Sequence, residues 1–215
     1  MDGKMKGMIM AGMMALSLIL GAMAIFSNTW LTETEEDDGM ESTTNTGLSN
    51  QEWVMDAETS DGCDMVKDVY EAMFEDATVE CDGSELTMTI AISDLCEIMD
   101  EMDADADETE DCESAGSAGT MGQIGMWGGV VLALVATLMM VLPMAGVDAM
   151  DAIPEMGQKV ISWGAGGLML LGMVLWYFML PDGDSSMSSG LIMAGAAMSI
   201  ALGSTLIGQF IPADE

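Results

Sequence analysis

The sequence predicts an all-α membrane four-helix bundle with a small disulfide-stapled α+β extracellular domain inserted between spans 1 and 2. Three observations carry that expectation. Four segments are apolar and free of charge over the length that a bilayer requires. The acidic residues concentrate in one stretch between the first two of them. All four cysteines lie in that same stretch.

Half of the 215 residues are hydrophobic, yet the formal net charge is −33. One soluble domain rarely combines the two, and a regional count resolves the conflict. Residues 31–120 hold 29 of the 37 acids and one of the four lysines, Lys67, for a local charge of −28. The chain accordingly divides into a cytoplasmic N-terminus with span 1 (1–29), an acidic linker (30–52), an acidic α+β domain (53–113), a second linker (114–122) and spans 2–4 with short loops (123–215).

The spans are read at 7–27, 123–145, 160–180 and 189–211, and none contains a charged residue. Proline lacks an N–H and clashes with the preceding turn, so it marks helix ends. Pro143 falls in the last turn of span 2, Pro154 in the following loop, and Pro181 and Pro212 just past spans 3 and 4. Lys4 and Lys6 precede span 1 and Lys159 abuts span 3. Lysine bias therefore puts both termini in the cytoplasm and the acidic domain outside, in a multi-pass plasma-membrane protein. In that frame Trp30, Trp127, Trp176 and Tyr177 ring the outer interface, and Trp163 and Phe210 the inner one. Span 1 also carries Ala22-Met23-Ala24, which fits a signal-peptidase site. Its apolar run exceeds the usual length of a signal peptide, so it is read as retained; cleavage would leave three spans with the domain still outside.

Small residues recur every fourth position: Gly125, Gly129 and Ala133 in span 2, Gly195, Ser199 and Gly203 in span 4. Such stripes let helix backbones approach closely and predict a compact bundle or an oligomer. The polar residues within the spans are hydroxyls, expected to bond back to their own helices, with Gln123 and Gln209 near the span ends and no acid, lysine or histidine to carry ions. That argues against proton-coupled transport and leaves a passive pore open.

In the acidic domain, residues 31–51 are rich in Thr, Ser, Asn, Gly and acids and read as flexible. Val66, Val69, Tyr70, Met73 and Phe74 give an apolar stripe for a helix over about 63–75, capped by Ser60 or Asp61. Asp82-Gly83 is a two-residue turn signal, and Leu86, Met88, Ile90 and Ile92 alternate with polar neighbours as a half-buried strand should. Ser93 caps a second helix, to about Met102, with Leu95, Ile98, Met99 and Met102 inward. So small a core needs staples, and Cys63, Cys81, Cys96 and Cys112 supply two disulfides outside the cell. Four cysteines allow three pairings; Cys81–Cys96 with Cys63–Cys112 is favoured because the first ties the hairpin to the second helix. The spacing lacks a C-x-x-C pair, which argues against redox activity.

The densest acidic run follows. Asp103, Asp105 and Asp107 resemble the start of an EF-hand loop, with Asp111 as a further oxygen donor. Glu108 stands where that loop needs glycine, and Ser114 where it needs a bidentate glutamate. The expectation is no resident cofactor and only weakly bound divalent cations. The chain has no histidine and no arginine. That excludes Ser-His-Asp and Cys-His catalysis and removes the guanidinium fork for phosphate. Strong negative charge repels nucleic acid. The acidity resembles that of salt-adapted or marine archaeal proteomes, where dense carboxylates keep surfaces hydrated. The 27 methionines are spread over spans and domain alike and read as apolar filler.

A cytoplasmic N-terminus, four spans, a large first outer loop and a short second one resemble the claudin and peripheral-myelin-protein group of tetraspan proteins. That group has a tryptophan after span 1, then Gly-Leu-Trp, then two cysteines. Here Trp30, Gly47-Leu48, Trp53, Cys63 and Cys81 follow in that order, with Trp53 four residues further from Gly-Leu and two additional cysteines. The resemblance implies lateral or cell–cell assembly through the outer domain. The function expected is a non-enzymatic integral membrane protein with an anchoring, assembly or accessory role. Its partners would be membrane lipid and either further copies of itself or another membrane protein, and not nucleic acid. The alternatives are a cation channel or channel subunit with an acidic outer vestibule, and a thiol oxidoreductase.

Overall fold

The computed structural model describes residues 3–37, 40–102, 105–144, 146, 154–180 and 186–210. The described chain forms six helices and six strands, and it divides into two compact units. Unit 1 comprises residues 1–25, 121–175 and 192–215; unit 2 comprises 26–120 and 176–191.

Unit 1 is built from α1 (Gly3–Ile25), the later part of α4 (Ala106–Met144), and most of α5 (Glu155–Met179) and α6 (Ser189–Phe210). All four helices are long and apolar enough to cross a membrane, with peak mean hydropathy of 1.6–2.2. Their outward faces carry Met8, Ile19, Ile124, Val131, Leu171 and Ile192, each more than half exposed. So much exposed apolar surface is a liability in water and suits contact with lipid. The interior is made of small residues and methionine: Met14, Met126, Ala133, Ala165, Met169, Ala197 and Ala201 are buried. α1 and α6 are joined by three polar contacts. Ser17 Oγ donates to Ala197 O at 2.7 Å, Ser204 Oγ to Met10 O at 3.0 Å, and Lys6 Nζ to Gly208 O at 3.0 Å. Thr205 Oγ1 lies 3.1 Å from Ser162 O on α5 as well as from Ala201 O. These hydroxyls correct the expectation that each bonds back to its own helix, which holds for Thr137 and Ser199. Where a small residue brings a second backbone within reach, a foreign carbonyl competes with the local one.

Unit 2 contains an antiparallel sheet, in the order β4-β5-β3-β2-β1-β6. Its strands are β1 (Leu31–Asp37), β2 (Met40–Thr46), β3 (Asn50–Asp56), β4 (Thr78–Asp82), β5 (Glu85–Ala91) and β6 (Ser186–Met187). β1, β2 and the start of β3 occupy the segment expected to be a linker. Their residues lack apolar alternation, but five threonines favour extended backbone, and Thr34↔Thr43 and Leu31↔Thr46 pair across the ladder. A polar chain crosses them. Thr32 Oγ1 donates to Asn45 Oδ1, Asn45 Nδ2 to Glu52 Oε1, and Asn28 Nδ2 to Glu52 Oε2, at 2.9, 3.0 and 3.3 Å.

The hairpin β4–β5 forms as the sequence predicts, with Leu86, Met88 and Ile90 buried. Its loop is Gly83-Ser84, because Asp82 pairs with Glu85, and Gly83 adopts φ 67°. Helix α2 (Ser60–Met73) covers one end of the sheet, capped by Thr59, whose hydroxyl accepts from Gly62 N at 3.1 Å. Ser60 and Asp61, the expected caps, lie inside the helix. Cys63, Val66, Tyr70 and Phe74 face the core with Val79, Leu86 and Met88. Helix α3 (Ile92–Glu101) starts two residues earlier than a Ser93 cap implies, has no side-chain cap, and leaves Met102, expected inward, exposed. α4 begins at Ala106, so residues 114–122 are helical rather than a linker. Alanine and glycine give no periodic signal there, and one 39-residue helix of about 58 Å results.

The disulfides are Cys63–Cys81 and Cys96–Cys112. This corrects the favoured pairing, for a geometric reason. Cys81 pairs with Leu86 at the turn end of the hairpin, whereas α3 leaves β5 at the opposite end, about 20 Å along the strand. Cys63 packs at the turn end, its Sγ 3.5 Å from Glu85 O. Peptide mapping without reductant is expected to recover these two pairs. Replacing Cys63 and Cys81 together by alanine should cost about 3 kcal/mol, read from the urea midpoint of the full-length chain in detergent.

Candidate interaction site on the acidic unit

Helix α2 has two apolar faces. Besides the row that enters the core, Met65, Val69 and Met73 recur at i, i+4 and i+8 and are 71%, 52% and 62% exposed. Val69 and Met73 were expected inward, but the core-facing row falls one position away, on the buried Cys63 and the partly buried Val66, Tyr70 and Phe74. The bridge from Cys63 to Cys81 sets that rotation. Around the outer row stand Asp61, Asp64 and Asp68, with Lys67 paired to Glu71 at 3.6 Å. Three exposed apolar side chains in a row, on a surface otherwise dominated by carboxylates, form a short ridge suited to contact with another protein. Exposure at the hydrophobic positions of an otherwise regular helical pattern is the signal that could have found it.

A second cluster ties the ends of unit 2 together. Trp30 is fully buried, edge-on to Trp176 with ring centroids 5.0 Å apart. Its N–H donates to Thr46 O, and its C=O accepts from Ser188 N, both at 3.0 Å. A Cβ on Gly190 would lie 2.7 Å from the Trp30 ring, so only glycine fits beneath it. Thr29 Oγ1 sits 2.6 Å from Ser189 Oγ and 2.9 Å from Ser27 Oγ. Leu48 is buried too, and its carbonyl lies where a side chain at Gly119 would have to go. Trp30 and Trp176 are therefore core residues rather than interface anchors, because each supplies the other's packing surface. Trp127 and Trp163, at 44% and 38% exposure, keep the exposed ring that an anchor needs.

The small-residue positions fall into two groups. A Cβ on Gly125 would overlap Gly172 Cα, and one on Gly129 would meet Met169 and Ala165 O. Ala133 is buried. This stripe is thus occupied inside unit 1, between α4 and α5, and is not available to a second copy. A Cβ on Gly195 or Gly203 would meet the methyl end of Met173 or Met13, and Ser199 is exposed.

For the acidic run, Asp103 and the side chain of Asp107 lie outside the described residues. Asp105 and Asp111 are exposed, and Asp105 O accepts from Thr109 N at 3.1 Å as α4 begins. Helix from Ala106 onward spreads ligands that a calcium loop would gather. Among the described residues no group of three or more His, Cys, Asp or Glu is placed to hold a metal ion.

Trp30→Ala should cost about 3–5 kcal/mol in urea unfolding of the full-length chain, the range for a buried aromatic truncated to alanine. Gly125→Val should lower stability by about 1–3 kcal/mol through overpacking, whereas Gly195→Ala should be close to neutral. No protein-family model matches the chain and no curated protein matches it, so its function is read from its own residues.

Proposed function

We propose that the chain is a non-enzymatic multi-pass membrane protein of the cell envelope that engages a partner protein through its acidic unit, on the extracellular side. The observation that carries this reading is the exposed row Met65, Val69 and Met73 on α2. The lysine distribution supports the sidedness, with Lys4, Lys6 and Lys159 on the cytoplasmic side. The absence of histidine and arginine from the sequence supports a binding role over a catalytic one.

The partner carries lysine or arginine around an apolar patch. Copies of this chain, each with a charge of −28 over residues 31–120, repel one another at low salt. The likeness to claudin-type tetraspan proteins supports an assembly role, and its shared residues hold structural positions here. Trp30 and Leu48 are buried, and Cys63 and Cys81 are bridged.

A photo-crosslinking residue at position 65 or 69 in living cells should give a discrete adduct. The same residue at Glu80, exposed on β4, should give none. Met73→Glu should abolish the adduct formed at 65 without changing the folded yield. Adducts of equal strength at 65 and 80 would contradict the proposal. Steady cation conductance of the purified chain in planar bilayers would replace it with the channel reading, in which the acidic unit forms an outer vestibule.

A further inference from the structure

Unit 1 contains a cavity of about 360 Å³ at the end where α1 and α5 begin and α4 and α6 finish. All four helices line it, and its chemistry is divided. Met10, Met139 and Met140 supply an apolar wall, while Lys159, Ser162 and Gln209 supply donors from α5 and α6. Lys159 and Ser162 stand three residues apart on α5, so they share a helix face. A second ammonium stands beside them, since Lys6 donates to the carbonyl of Gly208, itself a lining residue. Among the described residues no carboxylate lines the cavity, and none is paired with Lys159. In a chain with 37 acids and four lysines, a described lining with one lysine and no acid is a departure from the composition.

We propose that this cavity binds a phosphate-bearing ligand, with the phosphate held by Lys159, Ser162 and Gln209 and an alkyl portion against the three methionines. Lysine binds phosphate as a point charge, and hydroxyl and amide donors complete the oxygen shell. A cavity of this volume lies in the range of small-ligand sites. A phospholipid headgroup from the inner leaflet and a free phosphate compound share this chemistry.

The test uses the full-length chain in detergent, mixed with a dialkylglycerol phosphate, with the same dialkylglycerol lacking phosphate, or with inorganic phosphate. Retained lipid is read by native mass spectrometry and protection by the thermal midpoint. The phosphate lipid should be retained about tenfold better than its phosphate-free counterpart. Lys159→Gln should erase that difference, and Lys159→Arg should largely restore it. Lys67→Gln, in unit 2, should leave it unchanged. Protection by the phosphate lipid alone assigns the site to the membrane. Equal protection by inorganic phosphate at matched concentration assigns it to a soluble phosphate compound. Equal retention of the two lipids together with no protection by inorganic phosphate would overturn the proposal, as would a Lys159→Gln variant that binds like the parent.

Discussion

The fold of the acidic unit depends on how Trp30 is held. Its backbone N–H reaches Thr46 and its C=O is reached by Ser188, so one residue joins segments 158 positions apart. Its indole packs on Trp176 and over Gly190, excluding water from those hydrogen bonds. β1 continues from it, pairing with β2 on one side and, through Leu31↔Met187 and Thr32↔Ser186, with β6 on the other. Without this point the short strand β6 has two residue pairs and no apolar burial of its own, which is too little to hold a loop in place.

The acidic charge is accommodated by exposure and by a few specific bonds. Glu52 accepts from Asn45 and Asn28, bringing a carboxylate into the sheet with donors on both oxygens. Asp56 accepts from the backbone of Glu58 at 2.9 Å, stabilising the turn in which Glu58 adopts φ 64°. Glu33, Glu35 and Glu36 of β1 are exposed. Charge along a strand that borders open space also discourages edge-to-edge pairing between copies. The two disulfides bind α2 to β4 and α3 to α4, limiting the expansion that self-repulsion would otherwise drive in this unit.

The legible parts of the sequence were those with a period. The four apolar helices, the hairpin face of Leu86, Met88 and Ile90, and the helices around Tyr70 and Ile98 follow from hydropathy spacing. β1 and β2 escaped because threonine and asparagine stand where apolar residues would alternate, and β3 because only Trp53 and Met55 in it pack on the core. The dipeptide Asp38-Gly39, between paired residues Asp37 and Met40, was the available hairpin signal. Disulfide pairing was illegible because it depends on which end of a strand each cysteine occupies. The roles of Trp30 and Trp176 were illegible because a tryptophan at a span end suits an interface and a core equally well. The outer row of α2 was hidden for a related reason: five apolar residues share a helix whose core can take only some of them.

On the proposed reading, four apolar helices cross a cell membrane and the acidic, disulfide-bonded sheet unit lies outside it. Labelling of intact cells with a membrane-impermeant maleimide tests it most directly, using single added cysteines at Thr34 in β1 and at Asp151 between α4 and α5. The account predicts that Thr34→Cys is labelled in intact cells, while Asp151→Cys is labelled only after the membrane is opened. Labelling of Asp151→Cys in intact cells with protection of Thr34→Cys would reverse the orientation, and equal labelling of both before lysis would contradict the four-span arrangement.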